Sequence, residues 1–174
     1  FGQVANSKQQ SAAILEAKVS EVLSLLPILN FEIKKITKIK DQLIVTFKNG
    51  SFFQNVAQKQ TSRGLRFTGI IVEEICEMVD DQMLREVILP TLAIKRRCAN
   101  GYYDPDDTMS QMEIYVTTAG YKDSPGYVKL IQFLLKEVVQ PGSASVLGGS
   151  YRIPIIAGLQ DMNWIRDQKM SGEL

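Results

Sequence analysis

The sequence predicts an α/β fold, with a mostly parallel central sheet flanked by helices. Two observations carry this. Short apolar runs that read as buried strands alternate with amphipathic stretches at helical spacing, the pattern of a parallel sheet covered on both faces. A Lys48-Asn49-Gly50-Ser51 turn between two alternating segments adds an antiparallel β-hairpin near residues 43–56.

The elements follow in order. Residues 2–5 read as a short buried strand. "NSKQQSAAILEAKVSEVLSLL" reads as a helix with Asn6 or Ser7 as N-cap, Ala12, Leu15, Val19, Val22 and Leu26 on one face, and Pro27 as its stop. "FEIKKITKIK", "QLIVTFKNG" and "SFFQNVA" read as three strands, the last two joined by a two-residue turn. "QKQTSRGLRFT" is a polar loop, and residues 69–73 are a buried strand. "DQMLREVILPTLAIKRR" reads as a helix interrupted at Pro90, and "NGYYDPDDTMSQ" as loop. "MEIYVTTAG" is a further strand. "SPGYVKLIQFLLKEVVQ" is a helix with Ser124 as N-cap and Pro125 at its first position. "YRIPIIAGL" reads as a strand, and "DMNWIRDQKM" as a helix capped by Asp161.

The 174 residues suffice for one domain with a core, and 45% hydrophobic content with 22% charge fits an ordinary globular chain. A net charge of +1 excludes an overall basic bias of the nucleic-acid-coating kind. No apolar run reaches ~18 residues, so no membrane-spanning helix is expected. Cys76 and Cys98 match no metal spacing and read as reduced thiols of a cytosolic protein. With no histidine in the chain, Ser-His-Asp and Cys-His catalysis and imidazole-bound zinc are excluded. Chemistry must come from carboxylates, Lys, Arg, hydroxyls or backbone. The chain opens on "FGQVAN" and stops at "SGEL", and reads as a piece of something longer.

In an open parallel sheet, ligands bind at the carboxyl ends of the strands. Two such ends stand out. "RFTGIIVEEICEM" (66–78) closes an apolar run with Glu73 and Glu74, and "EIYV" is followed by Thr117-Thr118-Ala119-Gly120. An apolar strand ending in two acids is the Walker B pattern. Its first acid holds Mg²⁺, commonly through water, and its second polarises a water for γ-phosphate cleavage. The plainer reading is a helix cap or solvated acidic turn. Arg63 and Arg66, about ten residues upstream, suit phosphate, with surface charge as the alternative. Lys34, Lys38 and Lys40 are placed on one strand face, as a phosphate-backbone contact or as edge protection. No G-x-x-x-x-G-K-[ST] phosphate-binding loop is present, and the Gly-rich "PGSASVLGGSY" has no lysine.

Taken in order, "VANSKQQSAAILEAKV", "FKNGS", "TSRGLRFTGIIVEE", "ILPTL", "IYVTTAG" and "GLQDMNW" resemble the large subunit of a tailed-phage terminase, the DNA-packaging motor. The resemblance covers nearly the whole chain. It implies a RecA-like P-loop NTPase fold of the additional-strand class. The chain would be the central and C-terminal part of one ATPase domain, with Walker A before residue 1 and a nuclease domain after residue 174. By this resemblance Glu73 is the Mg²⁺-binding acid, though the family usually has Asp there, and Glu74 is the catalytic glutamate. Thr117, Thr118 and Ala119 match the coupling motif. Arg63, with Arg66 as second choice, matches the arginine that reaches a neighbour's nucleotide. The implied cofactors are ATP and Mg²⁺. The implied partners are double-stranded DNA, the portal protein, the terminase small subunit and further copies in a ring on the procapsid, with no membrane. The implied place is the host bacterial cytoplasm, not the mature virion. The fragment alone is expected to be inactive. The alternatives are a helicase or DNA pump, a non-catalytic interaction module, or a metal nuclease using Glu73 and Glu74 with Asp80, Asp81 or the loop acids Asp104, Asp106 and Asp107.

Overall fold

The computed structural model describes residues 1–78, 82–95, 100–103, 105–106, 111–118, 120–149, 152–158 and 161–171. The chain divides into two compact units, Phe1–Lys129 and Leu130–Leu174.

The first unit is built on a six-stranded sheet. Its strands are β1 (Gly2–Val4), β2 (Ile33–Ile39), β3 (Gln42–Phe47), β4 (Phe52–Val56), β5 (Gly69–Glu73) and β6 (Met112–Val116). Their spatial order is β2-β3-β4-β1-β5-β6. β4, β1, β5 and β6 run parallel, while β2 and β3 form an antiparallel meander onto β4. The parallel register sets one row of Val4, Val56 and Val72 side by side, and a second row of Gln3, Asn55 and Ile71. Alternation along a strand puts these rows on opposite faces.

The valine row faces the main core. With Ile70, Ile75, Leu84, Val87 and Ile88 it forms one buried cluster. Full burial of such side chains contributes about 1.5–3 kcal/mol each before entropy is counted. The segment that covers this face reads in the sequence as a helix broken at Pro90. In its described residues a π-helical turn at Leu84–Ile88 runs into a 3₁₀ turn at Leu89–Leu92. Pro90 has no N–H to continue an α-helical ladder, so the turn changes pitch there.

The other face carries α1 (Lys8–Leu25), capped by Ser7, whose Oγ accepts from the Gln10 amide at 3.0 Å. Asn55, 2% exposed, ties this face together. Its Oδ1 accepts from Leu43 N, and its Nδ2 donates to Lys8 O and Asp41 O, at 2.7–3.0 Å. Over β5 and β6 the same face is half-open: Ile71 and Ile114 are half-buried, and Val116 is 46% exposed.

Several expectations need correction. The β3–β4 connection is a three-residue loop, not two. Phe47 N donates to Ser51 O and Gly50 N to Phe47 O, with Gly50 at φ +84°. This is a turn followed by a left-handed residue, a conformation glycine adopts at no steric cost. Lys40 is not on the strand face with Lys34 and Lys38. It sits in the β2–β3 turn at φ +50°, and Lys38 pairs with Glu16 of α1 at 2.7 Å.

The second unit holds the remainder of α2 (Pro125–Val139), then α3 (Arg152–Ile156) and α4 (Met162–Ser171). Residues 152–156 of "YRIPIIAGL" are therefore helical, not a strand. Its Ile-rich run favours β by propensity, but Pro154 cannot donate to a sheet ladder and is tolerated in a helix's first turn, where the N–H has no partner anyway. The Ser124 and Asp161 caps form as the sequence predicts: Ser124 Oγ accepts from Tyr127 N, and Asp161 Oδ1 from Asn163 N.

Candidate active site

Parallel pairing of β5 with β6 places Glu73 beside Val116. The residues that leave both strands therefore meet at one carboxyl edge. The Glu74 amide donates to Val116 O at 2.7 Å, the Cys76 amide to Thr117 Oγ1 at 3.3 Å, and Thr118 Oγ1 to Glu74 Oε2 at 3.4 Å. The structure thus brings Glu73, Glu74, Thr117 and Thr118 together. Ala119 lies outside the described residues, as do Cys98, Asp80, Asp81, Asp104 and Asp107.

The two acids diverge. Glu74 is left-handed, at φ 52° and ψ 47°, a conformation that costs a non-glycine residue about 1–2 kcal/mol. This turns its carboxylate towards β6. Glu73, still extended, turns towards β1, where Gln3 Nε2 donates to its Oε1 at 3.3 Å. Partial burial pushes the Glu73 carboxyl above its ordinary value, and the neighbouring Glu74 charge pushes the same way. The Gln3 hydrogen bond and Lys18 pull it back. Gln3 is 3% exposed and holds Glu73 from a neighbouring strand. Sequence reasoning missed it, because a lone Gln in an apolar strand carries a signal only once the strand order is known.

Arg63 and Arg66 do not join this group. They line a separate cleft of about 300 Å³ with Glu86, Pro90 and Thr91. Phe67, next to Arg66, donates its amide to Thr91 O just before β5 begins. The length of the strand, about 13 Å over Gly69–Glu73, lies between that point and the acids. A larger apolar groove of about 320 Å³ runs under α1, with Gln3, Lys18 and Glu73 among its lining residues. Among the described residues, no group of three or more His, Cys, Asp or Glu side chains converges to hold a metal. No described helix is long and apolar enough to cross a membrane.

The chain superimposes on the crystal structure of the HK97 bacteriophage large terminase with a TM-score of 0.62, over 99% of its own length. The fold is that of a phage large terminase. It is a mixed α/β, RecA-like fold with a six-stranded sheet. Identity to that terminase is 14%, so the likeness is one of fold, and the chain spans 36% of the terminase's length. The Thermus phage P74-26 large terminase ATPase domain aligns more loosely, with a TM-score of 0.39 and 13% identity over 81% of this chain and 71% of that one. No protein-family model matches the sequence, and no curated protein matches it. Within this terminase fold, the paired acids and paired threonines stand at the carboxyl ends of adjacent parallel strands, where such sheets bind ligands.

Proposed function

We propose that the chain is the central and later part of the ATPase domain of a phage terminase large subunit, whose Mg-ATP hydrolysis drives viral double-stranded DNA into the procapsid. The observation that carries this reading is the convergence of Glu73-Glu74 and Thr117-Thr118 at one sheet edge in a terminase fold.

Glu74 is the water-polarising base. Its carboxylate is held near Thr118, whose hydroxyl is suited to report the state of a γ-phosphate. Glu73 would hold Mg²⁺ through a water. Carboxylate and hydroxyl oxygens suit Mg²⁺, which takes one or two carboxylates plus substrate phosphates rather than an all-protein cage. When bound, Mg²⁺ would neutralise charge developing on the transferred phosphate.

The phosphate-binding loop would come from a part of the parent polypeptide outside these 174 residues. Among the described residues β6 pairs only with β5, so its other edge would be the place for a further parallel strand. Arg63 or Arg66, remote from the acids of its own chain, would serve a neighbouring copy in a ring on the portal. The remaining parts of the reading are the small subunit as partner, an endonuclease domain elsewhere in the parent, and work in the host bacterial cytoplasm.

The test is ATP turnover by the full-length parent with and without duplex DNA. Mg²⁺-dependent turnover stimulated by duplex is expected. A parent that binds no Mg-ATP, or that unwinds DNA processively, would overturn the reading.

A further inference from the structure

We infer that Cys76 is a positioning residue for Glu74: its side chain is seated in a socket formed by Gly120, Ser124 and Gly126, and this seat holds the turn that presents the Glu74 carboxylate. The inference rests on the proposed role of Glu74.

Glu74 opens a 3₁₀ turn, Ile75–Glu77, and its carbonyl accepts from the Glu77 amide at 3.0 Å. Its left-handed backbone persists only if its surroundings fix it. Two amides of the turn are tied to the end of β6 and the residue after it, Glu74 to Val116 O and Cys76 to Thr117 Oγ1. The third restraint is the Cys76 side chain. A Cβ placed on Gly120 would lie 2.6 Å from Cys76 Cβ and 2.8 Å from its Sγ. A Cβ on Gly126 would collide with Cys76 Sγ and lie 3.1 Å from the Cys76 backbone nitrogen. Ser124 Oγ lies 3.5 Å from Sγ as a donor and also caps α2 through Tyr127 N. The first turn of α2 is thus pressed against the turn that follows Glu74. Two glycines make that approach possible, and neither contact surface has room for a methyl. Cys76 is half-buried as a residue and is joined to no second cysteine among the described residues. Its role is one of shape.

Three variants of the full-length parent test this: Gly126→Ala, Cys76→Ala and the two combined. Gly126→Ala drives a methyl against Sγ, and Cys76→Ala empties the socket. Either is expected to lower kcat by about tenfold or more while the KM for ATP stays within about twofold, as for a misplaced reacting group. In the double variant the collision with the sulfur is gone, while the Cys76 backbone nitrogen and Ile75 Cγ2 stay 3.1 Å from the added methyl, so kcat should recover in part. Amide hydrogen exchange at Glu74 and Cys76 should quicken in each single variant and slow again in the double. Unchanged kcat in both single variants, or a double variant no better than either single, would overturn the inference. So would faster exchange without loss of kcat. If Gly126→Ala does not fold, Cys76→Ala alone decides, by the same loss or its absence. If the wild-type parent hydrolyses no ATP, the reading of the site fails by itself. The exchange pattern then decides the inference: quickening reversed in the double supports the socket, and unaltered exchange overturns it.

Discussion

The backbone amide of Glu74 donates to the carbonyl of Val116 across 2.7 Å, one residue beyond the last paired position of β5. That bond carries the β5–β6 ladder past the strand end, and the chain turns at Glu74, which is left-handed. The turn separates two carboxylates that are adjacent in sequence, sending Glu73 to Gln3 on one side and Glu74 to Thr118 on the other. Adjacent acids thereby acquire different environments, which is what different chemical roles require.

Glu73 gives a pH-dependence whose sign is fixed. Its carboxyl is raised in the folded chain, chiefly by burial, so folding favours its protonated form. Stability from this group is present in acid, below the ordinary carboxyl value, and is lost as pH rises through the raised one. Glu73→Gln cannot ionise. At neutral pH it should melt above the wild type, and the gain should vanish as the pH falls to the ordinary carboxyl range. A Glu73→Gln chain that melts lower at neutral pH would show that the ionised form is the favoured one.

Asn55 is the largest polar commitment on the α1 face. Asn55→Ala strands the Leu43 amide and the carbonyls of Lys8 and Asp41. A loss of about 2–3 kcal/mol is expected, read from the urea midpoint at constant slope. A loss below about 0.5 kcal/mol would mean that water replaces all three bonds.

Much of this was legible in the sequence, for identifiable reasons. β5 appears over Gly69–Glu73, as its apolar run predicts, because a central parallel strand has no polar alternation to blur its ends. The caps Ser124 and Asp161 were legible, and Ser7 as one of two candidates beside Asn6, because a short polar side chain before an amphipathic run suits the open amides of a helix start. Residues 152–156 were not, since a short apolar run fits helix and strand equally by periodicity. The meeting of Glu74 with Thr118 depends on β6 lying next to β5, a 44-residue separation that no local pattern encodes. The same holds for Gln3, which gains a partner 70 residues away.

The separation of the arginines from the acids gives a mixing experiment. Parent protein with Arg63→Ala or Arg66→Ala should bind Mg-ATP normally yet turn over slowly, by about 10³-fold if the arginine acts in trans. Mixed with inactive Glu74→Gln subunits, it should regain part of the DNA-stimulated turnover, because some sites then combine an intact Glu74 with a neighbour's intact arginine. No recovery for either arginine would place the stabilising cation elsewhere.

The most direct measurement is Mg-ATP binding and turnover by the full-length parent with Glu74→Gln, beside the wild type and with duplex DNA present. Loss of turnover by about 10²–10⁴-fold, with nucleotide affinity kept, is the predicted result for removal of a water-polarising base. Undiminished turnover would return the paired carboxylates to a structural turn at the end of β5 and contradict the motor reading.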